Sequence, residues 1–247
     1  MYSIFKIESM LLNWQTGIVK RIEQATHNTR RYWVEIQETP SFDFKPGQFV
    51  TLDLPIHEQR NKRWRSYSIA AMPDGGNVIE LLIVHLPGGI ASKYIFEEIK
   101  VGSSFTLRGP QGIFVLPPSF EKNVYLICTG TGIAPFRSML QYISHHNIPH
   151  QQIHLIFGTR TQTDILYREE MTELQNTLPG FSYHIALSRE EWDGNNGYVH
   201  PVYETLCADK HPAIFMLCGW RSMIDEAKQR ILSMGYDKKD IHSELYG

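Results

Sequence analysis

Two short stretches of the chain carry side chains with chemistry to offer. Arg65-Ser66-Tyr67-Ser68 sets a guanidinium, a phenol and two hydroxyls along one extended segment. Further on, Gly130-Thr131-Gly132-Ile133-Ala134-Pro135 places two glycines and a proline where a turn opens a helix. Alternate residues of a strand share a face, so Arg65 and Tyr67 would lie side by side. A guanidinium forks onto phosphate, and a tyrosine lies against a flat ring or bonds a sugar chain through its hydroxyl. Ser68 would then reach the N5 edge of a flavin. The glycine turn lets the backbone close on a pyrophosphate at a helix N-terminus, and Pro135 has no N–H to lose in the first helical turn. In this order the two stretches offer a flavin surface and then a nicotinamide dinucleotide surface, which together imply hydride exchange. Each is weak alone. Arg-x-Tyr-Ser arises in strands by chance, and Pro135 stands where the usual dinucleotide fingerprint has its third glycine.

Other residues extend both sites. Gly89-Ile90-Ala91-Ser92 sits at a turn before a helix, where successive N–H groups and the Ser92 hydroxyl would hold an anion; plain helix capping by Ser92 explains the same residues. Lys62-Arg63-Trp64-Arg65 is locally basic, as a pyrophosphate would require, or it is a solvated strand end. Ser188-Arg189 offers a hydroxyl and a cation for a 2′-phosphate. Glu190, Glu191 and Asp193 offer the carboxylate that an unphosphorylated ribose would want, and we read NADPH over NADH. Arg160 would assist, or pair with Asp164 or Glu169. Cys218-Gly219 ends a strand at the edge where open sheets bind ligands; a buried small apolar residue is the alternative reading for Cys218 and the preferred one for Cys207.

The elements needed to position these residues are legible as two patterns. The first half holds short β-type segments, 17–22, 32–37, 49–54, 64–70, 78–84 and 104–107, separated by turn residues, which suggests an antiparallel barrel or sandwich. One helix, 91–99, interrupts it, and Arg108-Gly109-Pro110-Gln111-Gly112-Ile113-Phe114 reads as a rigid closing turn. The second half alternates strand and helix: 124–128 then 136–145, 153–157 then 165–174, 182–187 then 201–206, 213–218 then 223–234. That alternation predicts a parallel sheet with helices on both faces. Pro117-Pro118 marks the boundary between the two.

These residues, taken in order, resemble the ferredoxin–NADP reductase superfamily from about Trp14 to the last residue. The resemblance is carried by Arg65–Ser68, Gly89–Ser92, Gly109-Pro110-x-Gly112, Gly130–Pro135, Cys218-Gly219 and Glu244-Leu245-Tyr246. It implies a β + α/β protein: a six-stranded antiparallel Greek-key β-barrel over residues 1–117, then a five-stranded parallel α/β nucleotide-binding domain over 118–247. It implies FAD contacts at Arg65, Ser66, Tyr67, Ser68, Val84, Gly89, Ile90, Ala91, Ser92 and Tyr246. It implies NADP(H) contacts at Gly130, Thr131, Gly132, Pro135, Arg160, Ser188, Arg189, Tyr198, Cys218 and Gly219. Thr131 and Cys218 would lie near the nicotinamide. Tyr198 would stack on the adenine, its alternative being an ordinary half-buried strand tyrosine. Tyr246 would cover the flavin and Glu244 relay protons, with Ser68 and Cys218 completing the catalytic group. Trp220 departs from the proline that usually follows Cys-Gly, and Gly247 extends one residue past the terminal tyrosine. The implied activity is hydride transfer between NADPH and FAD, then single electrons to a separate carrier, ferredoxin or flavodoxin. The barrel and the sheet would meet along a cleft where the two rings touch. Oxygenase-reductase and free-flavin-reductase roles are the alternatives, with a non-catalytic redox-sensing or electron-transfer subunit as the rival class.

Composition excludes several other classes. The 247 residues carry a net charge of −2 with no basic block, unlike a nucleic-acid-binding chain. No run of about 18 apolar residues occurs, and the opening MYSIFKIESMLLNWQ lacks the basic lead of a signal peptide, so a cytoplasmic protein with no membrane partner is expected. Three cysteines suit neither a disulfide framework nor an all-thiolate cluster of four ligands. The histidines at 145, 146, 150 and 154 do not have metal-site spacing, and no Ser-His-Asp arrangement is legible. Oligomeric state is not encoded in any recognisable pattern.

Overall fold

The computed structural model describes residues 13–246. Most of the opening segment weighed above as a leader, and Gly247, lie outside the described residues. The chain divides into two compact units, one running to Leu116 and taking in Arg137–Tyr142, the other holding Pro117–Phe136 and the chain from Ile143 onward.

The first unit is a six-stranded antiparallel barrel. Its strands are β1 (Gln15–Thr26), β2 (Thr29–Ile36), β3 (Phe49–Asp53), β4 (Trp64–Ser68), β5 (Val78–Val84) and β6 (Ser104–Gln111), in the order β4-β3-β6-β1-β2-β5. A single bridge between Ile69 and Leu81 joins the two ends of that order. Strand β2 shows the period of two that one buried face demands: Tyr32, Val34 and Ile36 are buried and the residues between them only half so. They pack with Val50, Leu52, Ile79, Leu81, Phe105 and Leu107 in one core. Helix α1 (Ile90–Glu98) follows β5 and contributes Ala91 and Ile95 to that core. Strand β6 runs on through Gly109 and Pro110 to Gln111, so part of the expected closing turn is strand, paired with β3 up to Phe49 opposite Gln111.

The second unit is a parallel sheet. It comprises β7 (Asn123–Thr129), β8 (Ile153–Thr159), β9 (Phe181–Leu187), β10 (Asn195–Asn196), β11 (Ala213–Trp220) and β12 (Ile241–Tyr246), in the order β10-β9-β8-β7-β11-β12. The resemblance implied five strands and the sheet has six. The difference lies at its edges, where two residues, Asn195 and Asn196, continue the ladder beside Ala186 and Leu187. At the other edge the segment read as a tail pairs with β11 over six residues, Ile241 to Tyr246. Helices α2 (Ile133–His145), α3 (Arg168–Thr177), α4 (His200–Leu206) and α5 (Arg221–Ser233) connect the strands. Tyr125, Ile127, Ile156, Phe215 and Leu217 form one apolar face, covered by Val202 and Tyr203 of α4 and by Ile224, Ala227 and Ile231 of α5. The strands are apolar runs because both faces are buried.

Strand order reverses at β7. From it the chain steps outward to β8, β9 and β10 on one side, and returns to β11 and β12 on the other. Open α/β sheets bind ligands at the carboxyl ends of the strands flanking such a reversal, which directs attention to the ends of β7 and β11.

Candidate functional site

In the barrel unit, β4 pairs with β3 so that Leu52 faces Arg65, Val50 faces Tyr67 and Phe49 faces Ser68. Arg65 and Tyr67 therefore share a face. Arg65 and Ser66 are exposed, Tyr67 is half-buried against the barrel core, and Ser68 is buried. One Arg65 amino group donates to the carbonyls of Lys62 and Trp64, at 3.0 and 2.8 Å, which holds the guanidinium over its own strand end. Burial pushes the Tyr67 phenol well above its usual range, with the Arg65 charge opposing, so the ring is neutral at physiological pH. Thr51 Oγ1 sits 3.2 Å from Ser66 Oγ and donates to Gln111 Oε1 at 3.1 Å.

Val84, half-buried, ends β5, and the chain then turns into α1. The Ser92 hydroxyl accepts from the Leu86 N–H at 3.0 Å and bonds to the carbonyls of Leu86 and Gly89, at 3.2 and 3.1 Å. It fixes the turn that precedes the helix, and no side chain caps the helix N-terminus, which Gly89 occupies. Lys93 N–H makes the first bond back, to the Gly89 carbonyl. The N–H groups of Ile90, Ala91 and Ser92 precede it in the first turn, where a helix has no acceptor of its own.

Sequence reasoning missed an aromatic–cation stack beside β4. The Arg108 guanidinium lies 5.0 Å from the Trp14 ring and 4.5 Å from the Trp64 ring. Trp64 Nε1 and Arg108 Nε are both buried without a hydrogen-bond partner. Orphaned buried donors are costly, and an anionic acceptor would satisfy them. Two tryptophans and an arginine separated widely in sequence gave no local signal.

In the nucleotide unit, a 3-10 turn at Gly130–Gly132 leads from β7 into α2. Gly130 has φ +54°, and a Cβ there would meet nothing within 4 Å. Gly132 is the opposite case. A Cβ would lie 2.4 Å from the Cys218 carbonyl oxygen, so only glycine lets the turn close on β11. Gly219 has φ +146°, and a Cβ would fall 2.4 Å from Thr129 Oγ1, a buried atom without a hydrogen-bond partner. The Gly-x-Gly and Cys-Gly motifs, remote in sequence, thus meet at the carboxyl ends of β7 and β11. Thr131 lies half-buried in the same turn, and Pro135 is buried in the first turn of α2.

The Cys218 thiol is fully buried and is pushed far above the usual thiol range by burial, then by the charge of Glu244 and by Cys128, against a hydrogen bond from Tyr246. It is a neutral thiol with no thiolate to offer. Glu244 stands opposite Cys218 in the β11–β12 ladder, and Tyr246 opposite Trp220.

The third cluster lies at the ends of β8 and β9. Ser188 N–H and Oγ both donate to the Thr159 carbonyl, at 3.0 and 3.2 Å, and Arg189 N–H donates to the Arg160 carbonyl at 2.9 Å. This brings Arg160 and Arg189, both exposed, onto adjoining loops. The nearest rival carboxylate is engaged: Glu190 accepts from the Gln162 N–H at 2.7 Å and from its side-chain amide at 2.8 Å. Tyr198 follows Gly197, at φ +97°, in a loop and is 73% exposed, not a half-buried strand tyrosine. Among the described residues no group of His, Cys, Asp or Glu is arranged to hold a metal, and no helix is long and apolar enough to cross a membrane.

Both sites fit dinucleotides by the chemistry of their donors: free helix-turn N–H groups and orphaned donors in the barrel, a glycine turn open to a ligand and paired exposed cations in the sheet. Comparison with known proteins agrees. Residues 16–116 match the oxidoreductase FAD-binding domain family and residues 126–229 the oxidoreductase NAD-binding domain family. The chain is 32% identical over 216 residues to ferredoxin–NADP reductase B of Sorangium cellulosum, covering 83% of this chain and 86% of that protein. It is 31% identical over 213 residues to the anthranilate 1,2-dioxygenase electron transfer component of Acinetobacter baylyi, where it spans 60% of the relative's length. In structure it superposes on a ferredoxin–NADP+ reductase from Neisseria gonorrhoeae with bound FAD and NADP, with a TM-score of 0.77 and 23% identity over 94% of this chain and 98% of that one.

Proposed function

The chain belongs to the ferredoxin–NADP reductase superfamily of FAD- and NAD-binding flavoenzymes, and on that premise we propose that it oxidises NADPH and hands single electrons to a separate carrier protein, a ferredoxin or a flavodoxin. FAD, when bound, supplies the chemistry that nicotinamide lacks, taking up a hydride at N5 and releasing electrons one at a time. The protein's part is to bind, orient and exclude water. Arg65 and the first turn of α1 hold the pyrophosphate, Tyr67 lies along the flavin, and Ser68 meets its N5 edge. Gly130–Gly132 lets the backbone approach the second pyrophosphate, and Thr131 sits beside the nicotinamide. Cys218, fully buried and kept protonated, supports the end of β11 beside which that ring is placed. Tyr246 shields the flavin face and Glu244 carries protons to it. Catalysis on this reading is chiefly orientation.

The observation that carries the proposal is the close approach of Gly132 to the Cys218 carbonyl at the strand-order reversal, because it gathers the Gly-x-Gly and Cys-Gly motifs at the strand ends where open α/β sheets take their ligands. NADPH is favoured over NADH because Glu190 is bonded to Gln162 while Arg160, Ser188 and Arg189 are exposed. A second reading, transfer to an oxygenase component, is supported by the likeness to a dioxygenase electron transfer component.

Anaerobic rapid mixing tests the proposal. The purified FAD-bound protein should be yellow, bleach faster with NADPH than with NADH, and then reduce a ferredoxin or flavodoxin in a panel that also contains oxygenase components. A yellow protein that neither nucleotide bleaches would refute the reaction and favour a sensor.

A further inference from the structure

Dinucleotide folds choose their ribose contact at a strand end, where a carboxylate takes the diol of an unphosphorylated ribose and a cation takes a 2′-phosphate. This chain puts both groups there in succession: Arg189 and then Glu190 follow the end of β9. The two would pull the choice of cofactor in opposite directions. The segment that leaves β8, in the same unit, runs alongside them. The Ser188 N–H and hydroxyl donate to the Thr159 carbonyl, and the Arg189 N–H donates to the Arg160 carbonyl. The next contact is made by a side chain. Glu190 is grasped through both oxygens by one residue, Gln162: Oε2 accepts from its N–H at 2.7 Å and Oε1 from its side-chain amide at 2.8 Å.

Gln162 opens a short 3-10 turn, Gln162–Asp164, which Thr161 and Asp164 fix by reciprocal bonds. Asp164 Oδ2 accepts from the Thr161 N–H at 3.2 Å and from its hydroxyl at 2.8 Å. An N–H in the first turn finds no acceptor within the turn itself, so the outlying Glu190 carboxylate satisfies it. Bonds to an ionised acceptor are the strong ones, and here two converge on one carboxylate. Glu190 is half-buried, while Arg160, Ser188 and Arg189 are exposed. The two carboxylates that follow, Glu191 and Asp193, flank Trp192 in a turn closed on itself. The Trp192 N–H donates to Asn196 Oδ1, and Asn196 Nδ2 donates to the Trp192 carbonyl, each at 3.1 Å. The carboxylate that adjoins Arg189 is therefore the one that is tied down.

We propose that Gln162 sets the choice between NADPH and NADH by holding Glu190 away from the ribose. With both carboxylate oxygens engaged, Ser188, Arg189 and Arg160 are left to receive a 2′-phosphate. Gln162 acts through Glu190 and is a positioning residue. Released, Glu190 would accept from a ribose diol, and its charge would compete with the phosphate for the neighbouring Arg189. The inference rests on the NADPH reading above and adds the residue that enforces it.

The test uses the full FAD-loaded chain and measures the Kd for NADP+ and for NAD+ by calorimetric titration. Gln162→Pro removes both donors at once, the N–H and the amide. Proline suits the first position of a helical turn, and Thr161 before it is already extended, at φ −135° and ψ 168°, as a residue preceding proline must be. Gln162→Leu removes the side-chain donor alone. In Gln162→Pro the ratio of the NAD+ Kd to the NADP+ Kd should fall at least about tenfold, with NADP+ bound more weakly and NAD+ more tightly, since a hydrogen bond to a charged group is worth about 10–100-fold. Gln162→Leu should move the ratio the same way by about threefold. Glu190→Ala alone should leave the NADP+ Kd within about twofold, because that carboxylate is already withheld. Combining Gln162→Pro with Glu190→Ala should restore the NADP+ Kd, which a merely structural role for Gln162 would not do. If Gln162→Pro fails to fold, Gln162→Leu with and without Glu190→Ala decides. An unchanged ratio, an equal loss for both nucleotides, or no recovery in the double variant would overturn the inference alone. Wild-type protein that binds NAD+ as tightly as NADP+ would overturn the NADPH reading and this inference with it.

Discussion

Replacing Gly132 by alanine tests the most constrained contact in the nucleotide unit. The new Cβ would lie 2.4 Å from the Cys218 oxygen, 2.8 Å from its carbonyl carbon and 3.1 Å from the Gly219 nitrogen. All three are backbone atoms of a central strand, so no side chain can swing aside. Reaching ordinary contact requires the turn to withdraw by about 1 Å. Overpacking of this kind costs about 1–3 kcal/mol, which for a chain of this size lowers Tm by about 2–12 °C. The assay is thermal unfolding at a fixed, saturating FAD concentration, since ligand binding shifts Tm by mass action. Gly130→Asn is the matched control. Its φ of +54° lies where asparagine is tolerated, and its side chain would enter open space. It should therefore keep its melting temperature within about 2 °C yet weaken NADPH binding by about tenfold, because the dinucleotide needs that space. Two results would refute the reasoning: Gly132→Ala melting like wild type, or Gly130→Asn retaining full NADPH affinity.

Further outcomes follow from the same geometry. Arg189→Ala should raise the NADPH Kd by about 10–100-fold, the worth of a charge-assisted hydrogen bond, and leave NADH within about twofold; equal losses for both nucleotides would remove the 2′-phosphate role. Tyr198→Ala should weaken both nucleotides by a similar, smaller factor of about 3–10, as expected for a lost stacking contact, and calorimetric titration distinguishes this from a loss confined to NADPH. Burial, then the charges of His184 and His211, holds His154 at about 4, below its ordinary value, and burial also lowers His184. The unfolded chain therefore takes up protons first, so stability is full above about pH 6.5 and declines as pH falls towards 4. His154→Gln should flatten that part of a Tm–pH profile, and an unchanged slope would remove this pair as the cause.

Much of the architecture is legible because local pattern and burial agree. Tyr32, Val34 and Ile36 alternate as a half-buried strand should, and the apolar runs of β7, β8 and β11 read as strands buried on both faces. The flavin strand and the glycine turn are found because their residue types are unusual for their elements. What is not legible depends on partners distant in the chain. Ile241–Tyr246 contains His242, Ser243 and Glu244 and is only half-buried, so nothing local marks it as a strand; β11 supplies the pairing. The Trp14–Arg108–Trp64 stack assembles across three strands of the barrel wall or their flanks. The Glu80–Arg137 pair leaves a trace in the sequence: a glutamate inside the apolar run Val78–Val84, and an arginine next to a serine in the apolar opening turns of a helix. Charges in such places require a buried partner, and two misfits of opposite sign are candidates for each other. The exposure of Tyr198 was hidden because loops carry no period to read.

The single bridge between Ile69 and Leu81 has a consequence for how this protein must be handled. Among the described residues strand β4 is secured to β3 over five residue pairs, while the chain just past it meets β5 in the single Ile69–Leu81 bridge, so along most of that seam the described strands form an open sheet. Unpaired strand rims recruit other chains unless something covers them. A bound prosthetic group lying along this rim would serve as its cover, and stripping it would leave a template for self-association. Loss of FAD during purification would then show itself first as turbidity, ahead of any loss of secondary structure.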